Sequence, residues 1–289
     1  MSTSLPTISL QSMKDGLLET EMPIFEAFEA ALRTPTPGSD DAAVQFIDQH
    51  CPTTQSPAEL EAYLWMLWEL LIQMAQTVPY VNDSPGHTTL VQILDGLRKC
   101  AKGTVKIWGA EYRLWHDLPL FTACFREAWI DPAFEGSIPD EESASAWRNL
   151  NSFAARCTSA GVVTFDDYAL LQLKAALEEE QDATSPARAD CNVLAASEWI
   201  FQSGKALFLW GQGDGGYEEG EGEAGALYKG NAGLCLERWN FWKRRFYELG
   251  DDDDSPLSVE ARQTSKSAAE KMKEIEDISL PPKKETKGF

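Results

Sequence analysis

The sequence is short of base. Its 289 residues carry 25 Lys and Arg against 46 Asp and Glu, a formal net charge of −21. That deficit argues against a general nucleic-acid or anionic-membrane binder, because both surfaces are polyanionic and repel it. Paired cysteines are missing as well. The six (Cys51, Cys100, Cys124, Cys157, Cys191 and Cys235) include no C-x-x-C, so neither a zinc knuckle nor a thioredoxin-type redox pair is written here. Most of them sit in apolar periodic segments, where a free thiol behaves as a small hydrophobe. None of the three histidines stands at i, i+4 from another, and H-E-x-x-H is absent. No metal or cofactor is expected. The most apolar run, residues 62–75, is interrupted by Glu69 and Gln73 and is too short to span a bilayer. The first residues lack a basic region followed by an apolar one, so no signal peptide is visible. These lacks together predict a reduced, cytoplasmic, soluble protein.

Strand signals are scarce too. Gly161-Val162-Val163 is the only β-branched pair between turn residues. Helix signals fill the remainder, and with 43% hydrophobic residues the composition is one that folds. A chain of this length buries roughly 75% of its unfolded surface. Ser56-Pro57-Ala58-Glu59 is a full start signal, with a hydroxyl N-cap, proline at N1 and a glutamate able to reach back. Leu60, Leu64, Leu67, Leu71 and Met74 then repeat at three- and four-residue spacing, the mark of a deeply packed helix. Further helices are expected over 13–33, 41–50, 85–102, 140–157, 168–180, 189–210, 234–249 and 256–278. Thr164 supplies the cap spacing ahead of the 168–180 helix. The 189–210 segment is apolar on nearly every side, the pattern of a central helix.

The predicted fold is therefore all-α, an irregular multi-helix domain of about eight to ten helices with an extended C-terminal helix. Residues 1–40 read as an N-terminal helix and linker, 41–250 as the helical core, and 251–289 as an acidic hinge, a C-terminal helix and a basic tail. Within the core, residues 211–225 hold seven glycines, five carboxylates and no base. This follows no strand and has no lysine, so it is not a phosphate-binding loop, and it meets a calcium pattern only loosely. Residues 213–225 are expected to be mobile, since they bury nothing to offset ordering entropy. The C-terminal helix has small, sparse apolar positions (Leu257, Val259, Ala261, Ala268, Ala269, Met272, Ile275). It is expected to dock weakly and to be released by proteolysis near Asp251.

Several segments look alike to a known group. Leu114-Trp115-His116-Asp117-Leu118-Pro119, the stretch 147–156 beginning Trp147-Arg148-Asn149, Ala196-Ser197-Glu198-Trp199-Ile200 and Trp239-Asn240-Phe241-Trp242-Lys243 together resemble a family of fungal, all-helical proteins known only as a domain of unknown function. The resemblance covers about residues 45–249. It implies a helical fold and a fungal cytosolic setting, and no activity or site residue.

Candidate chemistry is sparse. His116 and Asp117, on a loop between aromatic-rich segments, and Glu198, in an apolar helix, are the acid–base candidates. A Cys124–His116 nucleophile pair would need a fold that brings the two together. His50 and Cys51 are adjacent on a helix and point apart. Ten tryptophans are dense for this length. Trp115, Trp147, Trp199, Trp239 and Trp242, with Arg156, either build the core or line a pocket for an apolar or aromatic ligand. The basic run from Arg238 to Arg245 either contacts an anion or covers aromatic rings against the protein's own acidic surface. Glu198 aligns with Gln202 and Lys205, and a contact with Arg156 would satisfy it if that line faces inward. The leading expectation is a non-enzymatic protein that binds a partner protein or a small molecule. The alternative is an enzyme acting on a small, partly aromatic metabolite through acid–base residues in a Trp-lined pocket.

Overall fold

A computed structural model describes residues 10–33, 38–80, 85–100, 102–180, 184–213 and 222–279. Eleven α-helices and one two-stranded hairpin occur among them, so the fold is all-α as predicted. The chain divides into two compact units, one of residues 1–131 and 145–156, the other of 132–144 and 157–289. The scarcity of strand signals holds at Val162 and Val163, which form a bend.

In the first unit the helix predicted over 13–33 is broken. It forms α1 (Gln11–Asp15) and α2 (Met22–Arg33), separated at Gly16, with the Glu21 carboxylate accepting from the Leu18 amide at 2.8 Å. There follow α3 (Ser39–His50), α4 (Pro57–Thr77) and α5 (Pro85–Lys99). The start of α4 is as read: the Glu59 amide donates to Ser56 Oγ at 3.3 Å and the Ser56 amide donates to Glu59 Oε2 at 2.9 Å. Leu64, Leu67, Trp68, Leu71 and Met74 are fully buried along one side. The hairpin was not foreseen. Strands β1 (Thr104–Ile107) and β2 (Ala110–Arg113) pair antiparallel with Ile107 opposite Ala110, leaving Trp108 and Gly109 as a two-residue turn. Both turn residues have positive φ, 50° and 85°, as a turn matched to strand twist requires. Helix α6 (Phe121–Ala128) and residues 145–156 of α7 (Glu141–Ser159) complete the unit.

One buried histidine makes this unit acid-sensitive. His87 is 1% exposed, and its Nε2 lies 2.9 Å from the Ala75 carbonyl oxygen. Burial lowers its pKa from 6.5 to about 4, against the Ala75 hydrogen bond and with help from the Arg156 charge. The unfolded chain therefore binds the proton more readily between those values. Stability is full above about pH 6.5 and falls by up to ~3 kcal/mol as pH drops through the window to about 4. Urea titrations at pH 7 and pH 4.5 should show this loss in the native chain and a smaller one in His87→Gln.

The second unit is built on α9 (Pro186–Gly211), which is buried around most of its circumference, as its all-round apolar pattern demands. Helices α8 (Asp166–Leu177), α10 (Leu236–Asp251) and α11 (Val259–Ser279) surround it. The cap expected at Thr164 is not formed. Helix α8 opens at Phe165, whose amide donates to Thr158 Oγ1 at 3.1 Å.

The expectation for the C-terminal helix is overturned. Helix α11 packs along both α9 and α10, with Ala261, Ser265, Ala268, Ala269 and Met272 fully buried. Its small residues reflect close approach. A Cβ on Gly204 of α9 would come within 2.8 Å of Ile275 Cδ1, and one on Gly250 of α10 would lie 3.0 Å from the Arg262 carbonyl oxygen. Polar pins reinforce the seam: Ser265 Oγ donates to the Phe246 carbonyl at 2.8 Å, and Trp239 Nε1 and Lys243 Nζ donate to Glu276 Oε1 at 2.8 and 2.6 Å.

Candidate functional site

The motifs that carry the resemblance hold the fold. In the first unit, Trp115 is fully buried and its Nε1 donates to Asp48 Oδ1 at 2.6 Å, while Lys102 Nζ donates to Asp48 Oδ2 at 3.0 Å. His116 is half exposed. Its Nδ1 lies 2.9 Å from Asp117 Oδ1, but Asp117 also receives Arg113 Nη2 at 2.7 Å and the Arg113 amide at 2.7 Å. Those hydrogen bonds from Arg113, with that from His116, hold the Asp117 carboxyl well below the usual range. The carboxylate is thus committed to its turn rather than poised as a base. Cys124 is buried, and desolvation pushes its thiol up to about 12, the opposite of what a nucleophile needs.

On α7, Trp147 packs against Trp129 with centroids 4.4 Å apart, and Arg148 lies over the Tyr80 ring at 3.5 Å. Asn149 ties down the end of α4, accepting from the Tyr80 amide at 2.9 Å and donating to the Gln76 carbonyl at 2.7 Å. Arg156 Nη1 lies 3.4 Å from Thr88 Oγ1. Arg156 belongs to the first unit and Glu198 to the second. Glu198 is 1% exposed, with Gln202 Nε2 at 3.4 Å, so the line it begins runs from the interior to exposed Lys205. Trp199, Trp239 and Trp242 are all buried in the second unit.

A group that sequence reasoning missed organises this unit. Glu178 and Arg238 are both wholly buried. Arg238 Nε donates to Glu178 Oε1 at 2.6 Å and Nη2 to Oε2 at 3.0 Å. Trp242 Nε1 donates to Oε1 at 2.6 Å, and the Gly225 amide to Oε2 at 2.8 Å. The remaining Arg238 donors reach carbonyls of the glycine-rich segment: Gly222 at 2.6 Å, Gly233 at 3.2 Å and Glu223 at 3.1 Å. Carboxylate and guanidinium are thereby satisfied on every side, as buried charges must be. Residues 214–221 of the loop expected to be mobile lie outside the described residues. Residues 222–225 are instead tied to this ion pair by hydrogen bonds and form a strap over it. A Cβ on Gly225 would lie 2.6 Å from Glu178 Cβ, so only glycine lets the strap close there.

Elsewhere the basic run serves its own surface. Lys243 meets Glu276 and Arg245 Nη1 donates to Glu248 Oε2 at 2.6 Å. Two clefts open in this unit, and the strap lines the first. One, of about 340 Å³, is lined by Asp167, Leu170, Leu171, Lys174, Glu223 and saturated Arg238. The other, of about 550 Å³, runs along α10 between Tyr228, Lys229, Glu237, Asn240, Phe241 and Arg244. In it Tyr228 and Phe241 pack with centroids 5.1 Å apart and planes inclined at 53°, and Arg244 lies over Phe241 at 5.3 Å. Lys229, Glu237, Asn240 and Arg244 are exposed along its rim.

The model of a family described as a protein of unknown function, DUF3632, matches residues 68–246, which include the ion pair, the strap and both clefts. The chain belongs to that family. No curated protein and no solved structure matches it. The family span stops short of α11, although that helix completes the core around α9. Among the described residues no helix is long and apolar enough to cross a membrane, and no group of three or more metal-ligating side chains is found.

Proposed function

We propose that this chain is a non-enzymatic helical protein that binds a partner protein in the α10 groove, with Phe241 and Arg244 as its contact residues and buried Tyr228 as the support behind them. The observation that supports this most is the contrast between the groove and the interior. Buried Glu178 and Arg238 spend their hydrogen bonds on each other, on Trp242 and on the strap. The groove instead presents the half-buried Phe241 ring, backed by buried Tyr228, with the Arg244 guanidinium over it, at a rim of exposed polar residues. Aromatic and arginine side chains are those that carry most energy at protein interfaces. A groove this open excludes little water, which suits docking better than chemistry. Six free cysteines favour a reducing, cytoplasmic setting, and the sequence resemblance favours a fungal one.

Photo-crosslinking tests the reading. With benzoylphenylalanine in place of Asn240, cells should yield one discrete adduct that disappears in Phe241→Ala and Arg244→Glu backgrounds. The same label at exposed Glu19 should give none. Adducts that persist in both variants, or a stoichiometric small molecule seen by native mass spectrometry and lost with Phe241→Ala, would refute it.

A further inference from the structure

The surface of α4 in the first unit carries a second arrangement, unrelated to the α10 groove. Trp108, at the tip of the hairpin, is 65% exposed and lies beside Trp65, with ring centroids 6.4 Å apart and planes inclined at 49°. Each indole is oriented by a carboxylate. Trp108 Nε1 donates to Glu61 Oε1 at 2.8 Å, and Trp65 Nε1 donates to Glu69 Oε1 at 2.7 Å. Glu61, Trp65 and Glu69 are successive four-residue steps on one helix, so they form a single stripe. Lys106 belongs to the other face of the hairpin from buried Ile107.

This tip is made at a loss. A two-residue turn with positive φ at both positions is best met by Asn, Asp or Gly. Trp108 holds φ at 50°, where a bulky side chain is strained, and exposes most of a large apolar ring. Among the described residues, its only ties to the helix are the Glu61 hydrogen bond and the Trp65 ring contact. Two ring faces with negative quadrupoles and two flanking carboxylates describe a receptor for an organic cation, since a charge seated between rings at this spacing lies within about 6 Å of both centroids. The net charge of −21 draws a basic chain toward it over longer range.

We propose that Trp65, Trp108, Glu61 and Glu69 form a docking surface that takes a lysine or arginine side chain presented by a basic segment of a partner protein. The rings stack on the cation and the carboxylates neutralise it. The strain at Trp108 is retained because the aromatic face is used.

The decisive variant is Trp108→Gly. It keeps every carboxylate and relaxes the turn, which offsets the lost Glu61 hydrogen bond and Trp65 contact, so the fold should be retained. The probe is a lysine- and arginine-rich peptide titrated into full-length protein labelled with 5-fluorotryptophan. The fluorine resonances of Trp65 and Trp108, assigned from Phe variants, should shift saturably. Trp108→Gly should weaken peptide binding by about tenfold. A paired Glu61→Gln, Glu69→Gln variant should weaken it as well. Equal affinity in the native and Trp108→Gly proteins would overturn the proposal, because general attraction to an acidic chain would then account for binding. Tetramethylammonium bound as tightly as the peptide would overturn the choice of a partner chain. A dimer of this protein, dissociated by Trp108→Gly in sedimentation, would overturn it too.

Discussion

Arg238→Met is expected to destabilise the second unit by about 3–5 kcal/mol, and Glu178→Leu by a similar amount. Each change leaves one buried charge without its counter-ion, and both groups are wholly inaccessible to solvent. For a unit of this size the loss corresponds to a fall in Tm of about 6–20 °C. The usual remedy for a broken buried pair, replacing both members by apolar residues, should fail here. The Gly222, Glu223 and Gly233 carbonyls and the Trp242 indole N–H would still lack the partners that Arg238 and Glu178 provide. The double variant is therefore expected to remain well below the native chain. Hydrogen exchange at the Gly225 amide should quicken in all three variants, because that amide donates to Glu178. Native protection at Gly225 in a stable double variant would show that the strap holds itself.

A chain ended at Asp254 should lose cooperative folding of the second unit altogether. Truncation uncovers the surfaces that Leu257, Met272 and Ile275 bury, each worth roughly 1.5–3 kcal/mol, and with them the α9 and α10 faces they cover. It also removes the Glu276 acceptor of Trp239 and Lys243. Together these approach the 5–15 kcal/mol that stabilises a typical domain. Near-ultraviolet circular dichroism and dye binding should report a loosened unit. A milder version is Gly250→Val, which drives a side chain against the Arg262 carbonyl and Lys266, at a cost of about 1–3 kcal/mol. A truncated chain with an unchanged thermal transition would mean that α11 is an accessory.

What the sequence made legible follows from local physics. The capping box at Ser56, the apolar stripe of α4 and the all-round burial of α9 rest on spacing within one segment, and each appears where its spacing puts it. The failures share a different cause. The stripe of α11 reads as thin because its alanines and serine are small, yet Gly204 and Gly250, far away in sequence, turn small size into tight contact. Glu178 heads a run of three glutamates that looks like a solvated helix end, and only the fold sets it against Arg238. The glycines at 222 and 225 read as solvent-exposed slack, whereas Gly222 lets the backbone pass close to Gly233 and Gly225 lets it lie against the buried Glu178. The hairpin escaped because Trp-Gly is not a turn pair that local chemistry favours. Of the candidate site residues, the tryptophans did mark the core, while the groove depends on Tyr228, Phe241 and Arg244 meeting across a loop.

The order of elements around α9 bears on how the protein is made. On a ribosome, α9 is finished about 70 residues before the end of α11, a delay on the order of 3–14 s at ordinary rates of translation. Throughout that interval the face of α9 destined for α11 has no cover, and it belongs to the most apolar helix of its unit. The nascent chain thus carries an adhesive stripe for seconds, long compared with the microseconds of helix formation. Its biogenesis is where crowding, slow codons or a scarcity of chaperones would be felt first.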